Sequence, residues 1–263
     1  MQTTVNGLSV HKFGNPEHQP IVFIHGFPFD YSMWLEQIEA LKGDYYCISY
    51  DIRGLGQSVV GDGQFTLEMY VDDLMEIIDS LALKKPVLCG LSMGGYITLR
   101  AAEREQDKFK ALILCDTRAE ADGNEGKLKR AATIKQINKG ETLQFIENFV
   151  SGLFADLTKE EDPELYENIM ETCKKSDPVG VKGATIAIMS RTDTTASLEK
   201  LELPVLIMAG AFDALTPPYV MKDMASKIKN SEFAAIPHAG HLAPLENPEC
   251  VNDLIKDFLK RHQ

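Results

Sequence analysis

Ser92 sits in "GLSMG" (90 to 94), inside the longer stretch "VLCGLSMGGYITL" (87 to 99), where a continuous apolar run gives way to a helical period. A G-x-S-x-G pattern between a strand and a helix demands a very sharp turn. The serine backbone is then strained, and side chains two residues before and after it would collide, so glycine at 90 and 94 is a steric requirement. Such a turn lifts the hydroxyl out of the sheet edge. It also sets the Met93 amide in the first turn of a helix, aimed at any oxyanion formed beside the serine. The chemistry suggested is nucleophilic attack of a serine oxygen on a carbonyl carbon.

A serine hydroxyl is a weak nucleophile near neutral pH. It needs an imidazole to take its proton and a carboxylate to hold the correct tautomer. Both are offered further along the chain, in the order Ser, Asp, His. "MAGAFDALTPP" puts Asp213 just past a buried strand, and "AIPHAGHLAPLENP" puts His241 in the loop after the next one. His238, three residues earlier, is the rival base, and Asp116, also past a strand end, is the rival acid. "HAGH" followed by an apolar helix start favours His241, and "AGxxD" with Pro217 and Pro218 closing its loop favours Asp213. A second oxyanion donor is expected from "IVFIHGFPFDYSMW", where Gly26 lets the backbone turn closely and the Phe27 amide faces the same oxygen. Two donors matter, because losing one costs on the order of 3 kcal/mol in the transition state. His25 reads as a pin for that loop. "YDIRGLGQS" (50 to 58) fits neither a Walker A nor a dinucleotide fingerprint and reads as an ion-paired turn beside the site.

These groups need elements that bring them to one rim. Continuous apolar runs at 21–25, 45–50, 86–90, 111–116, 204–210 and 232–237 predict strands buried on both faces. Asn6-Gly7 predicts a two-residue hairpin turn near the start. Between the runs lie helical periods, as in 65–83, with Thr66 as N-cap, and in "ECVNDLIKDFLKR" near the end. Alternation implies a mostly parallel twisted sheet with helices on both faces. Ligands in such sheets bind at the carboxyl ends of the strands, where Ser92, Asp213 and His241 would converge. The alternation breaks from about 118 to 195, which carries helical segments only. The expected organisation is a core of 1–117 and 196–263 with a helical cap inserted at 118–195.

Bulk properties narrow the class. The 263 residues are 44% hydrophobic and 25% charged, a soluble globular balance, and the net charge of -12 excludes nucleic acid as a natural partner. The apolar runs are too short to span a bilayer, so no membrane partner is expected. Neither a secretory signal at "MQTTVNGLSV" nor a lipidation box at "FLKRHQ" is seen, and the expectation is a cytoplasmic protein. The five cysteines are odd in number and widely spaced without a CxxC pair, reading as small buried hydrophobes. His11, His18 and His262 lie in polar terminal contexts and read as solvated.

The blocks "HGFPFDYSMW", "YDIRGLGQS", "CGLSMGGYITLRAAER", "LILCDTRAEAD", "VLIMAGAFDALTPP" and "IPHAGHLAPLENP" occur in this order across nearly the whole chain outside the cap. Together they resemble the α/β-hydrolase fold family, in particular its small capped carboxylesterases, cofactor-free haloperoxidase-like enzymes and 3-oxoadipate enol-lactonases. The resemblance implies an α/β-hydrolase fold with Ser92 as nucleophile, Asp213 as acid, His241 as base, and Phe27 and Met93 as oxyanion amides. It implies a serine hydrolase acting on a small-molecule carboxylic ester through an acyl-enzyme, with no metal and no organic cofactor. Phe29, Phe145, Phe149 and Met189, with Phe154, Met170 and Ile186, are the candidates to shape an apolar acyl pocket, packing within the cap being the competing role for each cap residue taken singly. The cations at hand for a dicarboxylate are Arg118, Arg191 and the cap lysines, which places a lactonase second. A binding protein on the same fold without turnover is the reading from another class. A homo-oligomer is left open.

Overall fold

Asn6 and Gly7 both adopt the left-handed backbone, with φ of 47° and 78°. Their two-residue turn folds β1 (Gln2–Val5) onto β2 (Leu8–Phe13) as the expected antiparallel hairpin. The structure is a computed structural model that describes residues 1–262. After the hairpin come β3 (Pro20–Ile24), α1 (Leu35–Leu41), β4 (Tyr46–Tyr50), α2 (Leu67–Ser80), β5 (Val87–Leu91), α3 (Met93–Glu105) and β6 (Ala111–Cys115). The segment that follows holds α4 (Asn124–Asn138), α5 (Thr142–Ser151), α6 (Asp156–Glu161), α7 (Pro163–Lys174) and α8 (Pro178–Met189), and no strand. The chain then returns through β7 (Val205–Gly210), α9 (Pro218–Ser226), β8 (Ser231–Ile236), α10 (Ala243–Glu246) and α11 (Pro248–Arg261).

The strands form one eight-stranded sheet in the order β1-β2-β4-β3-β5-β6-β7-β8, antiparallel at the hairpin end and parallel from β4 onward. Every residue of β3, β5, β6 and β7 is buried, so helices must cover both faces of the central strands. On the cover, α2 packs on α3, while α1 packs on α11 and α10. Thr66 caps α2 as its sequence suggests, its hydroxyl accepting the Met69 N–H at 3.2 Å. The run at 232–237 departs from the expectation of full burial. It forms the edge strand β8, largely half-buried, because nothing pairs beyond it in the sheet order.

Four of the five cysteines are buried and all are free. His11, expected to be solvated, is instead buried: its ring stacks on Tyr31 at 3.4 Å and Nε2 lies 3.0 Å from the Ser9 hydroxyl. The hairpin pairs its strand with β4, which carries His11 inward. Among the described residues no helix is long and apolar enough to cross a membrane.

Candidate active site

Ser92 follows β5 directly and has φ 51° and ψ -110°, a left-handed backbone that costs energy in any residue but glycine. The strain is locked in by close approach on each side. A Cβ at Gly90 would lie 2.4 Å from the Gly94 carbonyl oxygen, and one at Gly94 would lie 2.0 Å from that of Ile24. Thr117, past β6, supports the turn by donating its hydroxyl to the Ser92 carbonyl at 2.8 Å. Ser92 is half-buried, and its Oγ lies 2.8 Å from His241 Nε2.

His241 Nδ1 in turn lies 2.8 Å from Asp213 Oδ2. The ring and the carboxylate are nearly inaccessible to solvent. Burial pushes the Asp213 carboxyl up, but hydrogen bonds from His241 and Thr216 outweigh it and hold the group below its ordinary value. An ionised Asp213 can only accept, so Nδ1 carries the proton. In a neutral ring Nε2 is then the acceptor, and the Ser92 hydroxyl donates to it. Asp213 also takes the Leu215 and Thr216 N–H groups at 2.8 and 2.9 Å, together with the Thr216 hydroxyl.

The two rivals are placed elsewhere. His238 is exposed, whereas Asp116 is buried, its oxygens taken by the Gly210 N–H at 2.7 Å and the Ala243 N–H at 3.2 Å. Burial, reinforced by the nearby charge of Asp213, raises the Asp116 carboxyl well above its ordinary value. It ties the end of β7 to the helix after His241.

Neither the Phe27 nor the Met93 N–H has a hydrogen-bond partner among the described residues, and Met93 opens α3 beside Ser92. The Phe27 loop is held by His25, which is fully buried, bonds the Gly26 carbonyl through Nδ1 at 2.8 Å and accepts the Ile52 N–H on Nε2 at 2.8 Å. Burial lowers the His25 pKa, keeping the ring neutral for that acceptor role. Beyond Ile52, Arg53 pairs with Asp73 through two nitrogens, and Asp51 accepts the Tyr31 and Gln57 N–H groups, each at 2.8 Å. The glycine-rich turn is thus an ion-paired brace.

A cavity of about 370 Å³ opens on Ser92. Its apolar wall holds Phe27, Phe145, Phe149, Ile188 and Leu215, and the three phenylalanine rings pack with centroids 5.5 to 6.2 Å apart. Its other wall holds Tyr96, Arg118, Asp122, Lys129, Arg130 and Arg191. Phe145 and Phe149 line this cavity, whereas Phe29 and Met189 do not. Phe29 is buried behind the Gly26 turn, and Met189 is the residue after Ile188, rotated about 100° away on α8. Phe154 packs edge-on against Tyr166, and neither Met170 nor Ile186 reaches the cavity. A larger cavity, about 730 Å³, lies beside Val87 and Ala111 at the amino-terminal ends of the strands, on the edge opposite Ser92.

Sequence reasoning missed Thr117, Thr216 and Glu246 as supports; it named Arg118, Arg191 and the cap lysines as the cations at hand, but missed Arg130 and the gathering of these side chains into one wall. One signal was available: Gly126, Lys129, Arg130 and Thr133 recur at the spacing of a single face of α4, and all four line the cavity.

A family model described as the alpha/beta hydrolase fold matches residues 19–248. A 3-oxoadipate enol-lactonase of Acinetobacter baylyi is 28% identical over 257 residues, covering 97% of this chain and 94% of its own. A protein named putative non-heme bromoperoxidase BpoC, of Mycobacterium tuberculosis, is 29% identical over 264 residues, covering 93% and 95%. A solved thermophilic esterase of Thermogutta terrifontis, with malate bound, superposes with a TM-score of 0.94 at 36% identity, over 100% of this chain and 99% of that one.

Proposed function

This chain belongs to the alpha/beta hydrolase fold family, and on that premise we propose that it hydrolyses carboxylic esters through an acyl-enzyme on Ser92. The observation that carries the reading is the relay Ser92 Oγ to His241 Nε2 and His241 Nδ1 to Asp213, both links at 2.8 Å, beside two unpartnered amides. Ser92 Oγ bonds to the ester carbonyl carbon while its proton passes to Nε2. The oxygen that gains the negative charge takes the Phe27 and Met93 N–H groups. Collapse breaks the bond to the leaving alkoxide, which departs with the proton held by His241. Water then adds to the acyl carbon, giving its proton to His241, and the acid is released as Ser92 regains its hydrogen. Asp213 balances the imidazolium charge throughout. The helices of 118–195 act as a cap that closes the acyl pocket over these groups.

Lactone hydrolysis uses the same steps with the leaving alkoxide tethered to the acyl group. The relative named as an enol-lactonase favours keeping it as the second reading.

A fluorophosphonate probe tests the nucleophile. Stoichiometric labelling of Ser92, abolished in Ser92→Ala and strongly slowed in His241→Ala, is the expected result. A folded wild-type protein that resists labelling overturns the mechanism and leaves the non-catalytic binding reading.

A further inference from the structure

The wall of the Ser92 cavity carries four cationic side chains, Arg118, Lys129, Arg130 and Arg191, against the single carboxylate of Asp122. This concentration of positive charge occurs in a chain whose net charge is -12. The cations are not equally committed. Arg191 is buried and fully engaged: it pairs with Asp122 at 2.9 Å, bonds two carbonyls, and lies 4.4 Å over the Tyr96 ring. Arg130 reaches the same Asp122 only through Nε, at 3.3 Å, so one carboxylate serves two guanidinium groups. Arg118 spends a nitrogen on the Leu215 carbonyl and has no carboxylate partner among the described residues. Lys129, at the exposed rim, is paired with Glu125 at 2.9 Å. The balance is a positive excess at Arg118 and Arg130, both half-buried.

A helix facing a pocket for a neutral acyl chain would turn an apolar stripe inward. On α4 the inward stripe is Gly126, Lys129, Arg130 and Thr133, while Leu128 is left 71% exposed. Guanidinium groups held in a partly desolvated cleft favour a carboxylate, which they can grip with two parallel hydrogen bonds. The aromatic wall opposite suits the methylene chain between that carboxylate and the scissile carbonyl. We propose that this site selects esters and lactones whose acyl portion carries a carboxylate, with Arg118 and Arg130 receiving that group and the Arg191–Asp122 pair fixing the wall behind it. The inference rests on the hydrolase reading of Ser92 and narrows its substrate class.

The test compares kcat/KM for mono-p-nitrophenyl glutarate with that for its neutral methyl ester, methyl p-nitrophenyl glutarate. The expected ratio favours the anion at least tenfold at low ionic strength and shrinks in 0.5 M KCl. Arg130→Gln and Arg118→Gln should each reduce the ratio about tenfold. Lys127→Gln, on the exposed face of the same helix, should leave it unchanged. Equal or better turnover of the neutral ester by wild-type protein overturns the proposal while leaving the hydrolase intact. Binding separates the two ideas: Ser92→Ala protein titrated calorimetrically with glutarate should bind it, and Ser92→Ala/Arg130→Gln should not. Glutarate binding supports the anion site even if no ester is cleaved, and binding that is absent, or indifferent to Arg130, rejects it.

Discussion

Glu246 and Thr158 are bonded across the gap between the inserted helices and the histidine loop, the Thr158 hydroxyl donating to Oε2 at 2.6 Å. The same oxygen takes the Ala155 N–H at 2.8 Å, and Oε1 takes the Gly240 and Leu242 N–H groups on either side of His241 at 2.9 and 3.1 Å. His241 itself donates its backbone N–H to the Leu153 carbonyl at 2.7 Å. One carboxylate therefore sets the position of His241 against the helical segment 118–195. Glu246→Ala strands four donors, and bonds to charged acceptors contribute about 1.5–3 kcal/mol each without adding fully. A loss of about 3 kcal/mol in urea unfolding is expected, with kcat down more than tenfold. Glu246→Gln should lie between, since its amide oxygen can serve one pair of donors only. Wild-type kcat in Glu246→Ala would show that His241 needs no such support.

The Thr216 hydroxyl is one of the groups that hold the Asp213 carboxyl below its ordinary value. The sign of its removal follows. A carboxyl lowered in the folded state stays ionised above that lowered value, and the contribution is lost as pH falls through it. Thr216→Val keeps the branched shape and deletes the donor, so the folded pKa rises and activity on the acid side fails at a higher pH than in wild type. A pH profile of kcat/KM checks this. An acid limb unmoved, or moved downward, contradicts the assignment of Thr216.

Asp116 should show the opposite linkage. Its folded pKa is raised well above 3.8, by burial first and by the charge of Asp213 second. Above 3.8 the unfolded chain has lost a proton that the folded protein still binds, so this group's contribution to stability declines as pH rises toward its folded value. Asp116→Asn removes that dependence while adding a roughly constant cost for the acceptor lost at Gly210 or Ala243. The difference in Tm, variant minus wild type, is expected to grow more positive between pH 4 and pH 7 in calorimetry. A flat difference would mean that Asp116 is ionised in the fold.

The strands and the Ser92, Asp213 and His241 positions were legible because each rests on a local rule. Continuous Val/Ile/Leu runs fit strands buried on both faces, as in β3, β5, β6 and β7, although the run at 232–237 became a half-buried edge strand. A serine between glycines at a strand-to-helix junction leaves the chain few shapes. The order of residues past strand ends then brings distant groups to one edge, since parallel strands share their carboxyl ends. What escaped detection was set by tertiary packing. The period of α4 does not say which face looks into a cavity. An apolar residue such as Phe29 or Met189 looks the same in sequence whether it lines a pocket or fills the space behind it. Arg191 lies some sixty residues or more beyond Arg118 and Arg130 along the chain, and only the packing of α4 on α8 makes them one wall. Glu246 and Thr216 belong to the same class of supports, visible only once their partners are adjacent.

The sharpest test of the turn at Ser92 is steric. Gly94 lies in the first turn of α3, where a single added methyl would stand 2.0 Å from the Ile24 carbonyl oxygen and 2.9 Å from that of His25. Both neighbours are backbone, at the end of a fully buried strand that also leads into the Phe27 loop, so neither can retreat without displacing an unpartnered amide. Gly94→Ala should therefore cost at least about 3 kcal/mol, the upper range of overpacking. Any folded fraction should label poorly with fluorophosphonate, because α3 and the end of β3 must separate. Gly43→Ala supplies the contrast, since a Cβ there meets nothing within 4 Å and the backbone is not left-handed. That substitution should be neutral or slightly stabilising through the unfolded chain. If Gly94→Ala unfolded in urea at the same midpoint as Gly43→Ala, the strand and helix could not be as close as the Ser92 turn requires.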